Sequence, residues 1–348
     1  MDAKITKQRL KRLFSYEWIK IIAVVVALIF GWVMIFELTE TRIKPSQRFT
    51  VFNHMQNKAI IPTTATKIQG AFDENAFSSE VMEITYQDLS TAGMYDHQTL
   101  ESYLGVSDGD IILVPNKPNT ASATVDKDGD NKPDTDENGD IIYQYTYPES
   151  LINPYRKYMT NLNPQTEGSY FYELEQYLNG FYDNGWEDET SINVEEIERE
   201  FRARVAQTHD KRYRNEKLLS AAIPYEIERI EKYRDAYAKL CGWLDDGLVC
   251  FNEPTHTDGF PEDGVEGYDG IVSLNICPDE SRMKNLKAYY SYPVYGYDEE
   301  QEKTQLLGYS AQDMSVVFFY NPEQEKTFEY ESLLYVVWLV EQGISTNA

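Results

Sequence analysis

Apolar and polar positions follow helix and strand periods along most of this chain, but one stretch has no period. Residues 21–36 (IIAVVVALIFGWVMIF) are sixteen apolar residues without a charge, extended by Trp18 and Ile19 before and Leu38 after. About 20 residues at ~1.5 Å each cross a hydrocarbon core of ~30 Å. Residues 18–38 are therefore expected to form a transmembrane helix in contact with lipid. Lys20 lies one turn from its start, where the side-chain stem can snorkel to the headgroups. The run exceeds the ~7–15 residues of a secretory h-region, and no small-x-small site follows in FELTETRIKPSQ. The anchor is expected to stay on the chain.

Beyond a polar linker at 39–47, the periods become those of a folded domain spanning 48–348. Residues 48–54 (RFTVFNH) are β-prone, and 62–79 are helix-compatible in part. Residues 80–89 (EVMEITYQDL) alternate as a strand does. Residues 96–104 (DHQTLESYL) open on a good N-cap, Asp96, and read as a helix. After a turn at 105–110, residues 111–115 (IILVP) are wholly apolar, which suits a strand buried on both faces of a parallel sheet. Strand, helix and strand make a βαβ unit whose two strands are expected to be neighbours.

Residues 116–148 read as an insert, with seven acids between 126 and 140. Aromatics crowd 151–190. The region 191–244 is helical: Val194, Ile197, Phe201 and Val205 share one face, as do Ile227, Ile230, Tyr233, Tyr237 and Leu240, with Pro224 marking a new helix start. Residues 259–270 read as loop and 283–290 as a short helix. Residues 315–320 (SVVFFY) read as a strand and 330–342 as an amphipathic closing helix. The fold class expected is α/β: an N-terminal transmembrane helix, then an extracytoplasmic mixed-sheet domain with a helical, tyrosine-rich middle.

Charge orients this arrangement. Residues 1–20 carry six Lys and Arg against Asp2 and Glu17, a net +4. A basic tail (1–17) beside a span stays cytoplasmic, so the bulk of the chain is expected outside a cell membrane crossed once. The whole chain carries −26, which leaves −26 − 4 = −30 on everything after residue 20. Such a charge repels phosphate backbones and argues against a nucleic-acid partner. Three cysteines are too few for a disulfide scaffold; Cys241 and Cys250 either pair or stay free.

The pieces EVMEITYQDLS, HQTLESYLGVSDGD and IILVP, with the late return MSVVFFYNPEQEKTFEYESLLYVVWLVEQG, resemble one lobe of the bacterial extracellular solute-binding proteins that serve sugar importers. The chain also resembles membrane-anchored proteins of Gram-positive bacteria with a basic tail, one helix and this exterior pattern. The resemblance implies a surface-tethered binding module beside a transporter or cell-wall assembly machinery.

The sharpest local motif lies in the insert. Calcium takes about six to eight hard oxygens, and the EF-hand loop supplies them from positions 1, 3, 5, 7, 9 and 12. Starting at Asp126, these are Asp126, Asp128, Asp130, the Lys132 carbonyl, Asp134 and Glu137, with Asn131 at the turn position. A second partial frame starts at Asp134. The spacing also resembles the calcium loops of thrombospondin type 3 repeats and dockerins, and a structural Ca²⁺ is expected here. His256 and Asp258 are a sparse metal pair, and Glu195 and Glu196 are neighbours expected by chance among 58 acids. Tyrosines 289, 290, 292, 295 and 297 suit either core packing or sugar stacking. No nucleophile, metal-hydrolase or phosphate-loop motif appears. The expected function is therefore a binding or assembly module and not an enzyme. The alternatives are a cell-wall-directed enzyme or a structural partner of a transporter complex.

Overall fold

The computed structural model describes residues 18–39, 43, 47–54, 70–89, 96–106, 108–116, 148, 151, 155–257, 268–298, 303–319 and 330–344. The chain divides into two compact units, 1–44 and 45–348. The first holds α1 (Trp18–Thr39), 22 residues or ~33 Å at the usual helical rise. Its segment Trp18–Ile35 has a mean hydropathy of 2.5 and is long and apolar enough to span a membrane.

The second unit is mixed α/β. Its sheet runs β2-β1-β3-β10-β7-β4, with β1 (Arg48–Asn53), β2 (Glu83–Asp88), β3 (Ile111–Pro115), β4 (Cys250–Phe251), β7 (Ser273–Asn275) and β10 (Met314–Phe318). β1 is parallel to β2, with Arg48 opposite Glu83 and Asn53 opposite Asp88, and parallel to β3. β10, β7 and β4 continue antiparallel. The late strand MSVVF thus joins the sheet of IILVP. One expectation is corrected: β2 and β3 are not neighbours, because β1 lies between them. β1 is buried at five of six positions while β2 is half-buried throughout, so the more apolar strand takes the centre.

Alternation sorts the strand side chains onto two faces. Phe49, Val51, Leu113, Val316 and Phe318 join the larger core with α3 (Tyr170–Asn179), α5 (Glu216–Asp245) and α6 (Glu331–Ile344). Phe52, Ile112, Val114 and Val317 face Leu100 and Leu104 of α2 (Asp96–Gly105), with Tyr155 and Tyr158. At the turn before β3, a Cβ on Gly109 would meet Leu104 and Phe52 at 2.8 Å, so a larger residue would force these two buried side chains to shift.

Three further expectations change. α5 runs unbroken through Pro224, because that proline lies in an exposed part of a helix held by burial from Glu226 onward. It forfeits its own hydrogen bond without ending the helix. Residues 283–290 reduce to a 3-10 turn, Leu286–Ala288. The closing helix α6 is not amphipathic: every residue from Glu331 to Val340 is buried. α4 (Val194–Thr208) buries Ile197 and Phe201 of its predicted stripe, but Val205 is half-buried and Val194, in the first turn, is exposed. Two small sheets complete the unit. β5 (Thr255–Thr257) pairs with β6 (Tyr268–Gly270), which takes the end of the expected 259–270 loop, and β8 (Tyr292–Asp298) pairs with β9 (Lys303–Ser310). Tyr290 is core, and Tyr292, Tyr295 and Tyr297 are on β8.

Candidate functional site

The carboxyl ends of the three parallel strands bring together polar side chains that the sequence keeps far apart. β2 ends on Asp88, β1 on Asn53 and then His54, and β3 on Pro115 and then Asn116. β10 runs the other way, so Asp313, just before it, comes to the same end, and β7 delivers Asn275. Asn53 Nδ2 donates to Asp88 Oδ1 at 3.5 Å, and Asn275 Nδ2 donates to Asp313 Oδ1 at 3.1 Å. The Asn116 amide donates to the Asp313 carbonyl at 2.8 Å and the His54 amide to the Leu113 carbonyl at 2.9 Å. Asp313 sits at φ +55°, a left-handed turn position that aspartate tolerates. Burial raises the Tyr86 phenol at this end, and the nearby Asp88 charge raises it further.

This end is also where the strand order reverses: the chain leaves β1 for β2 on one side and then crosses to β3 on the other. In open α/β sheets, ligands bind in the crevice outside the strand carboxyl ends at such a switch. Amide donors and carboxylate acceptors fixed by strand ends can hydrogen-bond a hydroxyl-rich solute. The insert leaves the described chain here, directly after Asn116.

The residues expected to hold calcium, Asp126, Asp128, Asp130, Lys132, Asp134 and Glu137, lie outside the described residues. Among the described residues, no group of three or more His, Cys, Asp or Glu could hold a metal ion. His256 is in β5, and Asp258 lies outside the described residues. Glu195 and Glu196 open α4, where Asn193 Oδ1 caps the Glu196 amide at 3.0 Å. Two anions at the positive end of a helix favour the helix. All three cysteines are free thiols. Burial raises Cys241 and Cys250 and pushes Cys277 up to about 12, so each stays protonated at neutral pH.

A second cluster went unread in the sequence. Arg229, 4% exposed, donates to Glu226 on its own helix, to Tyr177 Oη at 3.1 Å and to Tyr233 Oη at 3.4 Å. Arg204 of α4 also donates to Glu226, at 2.8 Å. The Tyr233 hydroxyl donates to Glu331 Oε1 at 2.9 Å, and Glu331 Oε2 accepts from the Ser78 amide at 3.1 Å. Glu80 receives Arg212 at 2.6 Å and Tyr213 Oη at 3.2 Å. Burial pushes the Glu226 carboxyl up, but Arg229 and Arg204 outweigh it and hold it below the usual range. Burial raises Glu331, against the hydrogen bonds that favour its charge, and pushes the Tyr177 and Tyr213 phenols up to about 12. These carboxylates are engaged by internal donors, so the cluster braces α4, α5, α6 and residues 78–80 together. Its signal was present in the spacing: Glu226, Arg229 and Tyr233 fall on the same inward stripe as Ile230 and Leu240.

Comparison of the chain with protein-family models, with curated proteins and with solved structures finds no match.

Proposed function

We propose that this chain is a membrane-anchored extracytoplasmic binding or assembly module, solute-binding-like, tethered through residues 18–38. Its binding edge is the carboxyl end of the sheet, and its insert holds a structural calcium through Asp126, Asp128, Asp130, the Lys132 carbonyl, Asp134 and Glu137. It works beside a membrane transporter or cell-wall assembly machinery. The observation that carries this reading is the strand order β2-β1-β3, which sets Asp88, Asn53 and Asn116 at a switch point. The acidic insert departs from that same end. A cation among its acids relieves their mutual repulsion and stiffens the insert.

The test is a thermal melt of the full chain in detergent, first in EDTA and then in millimolar calcium, with magnesium as control. Calcium should raise the midpoint or protect residues 116–148 from protease. Magnesium should do so poorly, because it demands tighter octahedral geometry. Asp128→Ala with Asp130→Ala should abolish the difference. In calcium, a sugar-like solute at 100 times its dissociation constant adds about 2.7 kcal/mol, and Asn53→Ala with Asp88→Ala should remove that shift. If calcium changes neither the melt nor the cleavage, the insert is only solvated charge. A solute shift that survives the Asn53 and Asp88 changes moves the binding edge elsewhere.

A further inference from the structure

The second half of α4 and the turn into α5 depart in charge from the rest of the acidic 45–348 unit. Residues 199–217 carry seven Lys and Arg against three Asp and Glu, a net +4. Not all of this charge faces outward. Arg204 and Arg212 bind the buried Glu226 and Glu80, and Arg202 binds Glu198 and Glu216. Lys211, Arg214 and Lys217 are exposed and meet no acceptor among the described residues. Beside them, α5 presents apolar side chains to solvent. Leu218, Ala221 and Tyr225 recur at helix spacing on one face, with Leu218 40% and Tyr225 57% exposed. Burial of α5 begins only at Glu226, so this stripe is not part of either core.

An exposed apolar stripe edged by unpaired cations is the composition of a helix that lies in the headgroup region of a bilayer. We propose that this helical tip docks on a bilayer surface rich in anionic headgroups. Leu218, Ala221 and Tyr225 enter the acyl boundary, and Lys211, Arg214 and Lys217 meet the phosphates. The inference rests on the reading that the chain is held at a membrane. Charge complementarity selects an anionic partner, and the apolar stripe selects lipid over a water-soluble polyanion, which offers nothing to cover Leu218. The large negative charge of the rest of the chain does not prevent docking, because fields are screened over ~8 Å at physiological salt. It instead leaves this tip as the face that an anionic surface attracts. Each cation near such a surface is worth about fivefold in partitioning, so three give on the order of 100-fold.

Hydrogen exchange on the full chain tests this, in nanodiscs of phosphatidylcholine alone and in discs with one third phosphatidylglycerol. Amides of residues 211–225 should exchange about tenfold or more slowly in the anionic discs, while those of α6 stay unchanged as a fold control. Lys211→Glu with Arg214→Glu and Lys217→Glu should erase the difference. Leu218→Ser with Tyr225→Ser should reduce it with every charge in place. Equal exchange in both discs overturns the proposal. So does protection in neutral discs by added soluble polyphosphate to the same degree, which makes a polyanion the partner. A chain that elutes apart from the discs refutes the anchor instead. The tip is then decided by pelleting that chain with anionic and with neutral vesicles: pelleting with the anionic ones alone supports it, and equal or no pelleting overturns it.

Discussion

Arg229→Met should lower the stability of the 45–348 unit by about 3–5 kcal/mol, the usual cost of breaking a buried ion pair on one side. The side chain is 4% exposed and donates to Glu226, Tyr177 and Tyr233 at once. Its removal leaves Glu226 with Arg204 alone and deprives the Tyr177 hydroxyl of its donor. Replacing both charges, Glu226→Leu with Arg229→Met, should recover more than half of the loss, because an apolar pair costs no desolvation. Chemical denaturation followed by tryptophan fluorescence measures both variants. A single variant costing under about 1 kcal/mol would mean that the network decorates the helices and does not brace them.

Tyr335→Ala should cost about 3–5 kcal/mol, and Tyr335→Phe about 1–2 kcal/mol. The Tyr335 ring lies 5.5 Å from Phe49, 6.1 Å from Phe77 in a stacked pair, and 5.6 Å from Trp338. Its hydroxyl is 2.7 Å from that of Tyr290. The alanine variant loses the ring contacts and opens a cavity; the phenylalanine variant keeps the ring and strands the Tyr290 hydroxyl in the core. Equal and small effects in the same denaturation assay would return α6 to the surface role that its polar ends suggest.

The contrast between the two readings of α6 shows what local pattern carries. Glu331, Glu341 and Gln342 look like the polar face of an amphipathic helix. Glu331 is nevertheless fully buried, because Tyr233 and the Ser78 amide, 98 and 253 residues away, satisfy its oxygens. No window of the sequence contains those partners. The strands EITYQD, IILVP and MSVVF were legible because alternation and unbroken apolar runs are local properties. The central place of RFTVFN was not, since six residues of this composition suit an edge as well as a centre. Pro224 misled for the opposite reason: the local penalty is real, and tertiary burial downstream outweighs it.

The candidate sites divide in the same way. The Asp126–Glu137 spacing is a property of twelve consecutive residues and can be read directly. The strand-end row cannot, because Asp88, Asn116, Asn275 and Asp313 are joined only by topology. Strand order had to be known before those four positions had anything in common.

The central claim is that one retained helix holds the acidic domain outside the cell. The most direct measurement is the intact mass of the chain extracted from membranes, paired with protease added to intact cells. The account predicts a mass that begins at Met1, digestion of residues beyond 45, and a spared N-terminal tail. A mature chain that starts after residue 36, or a domain that protease reaches only after lysis, would contradict it.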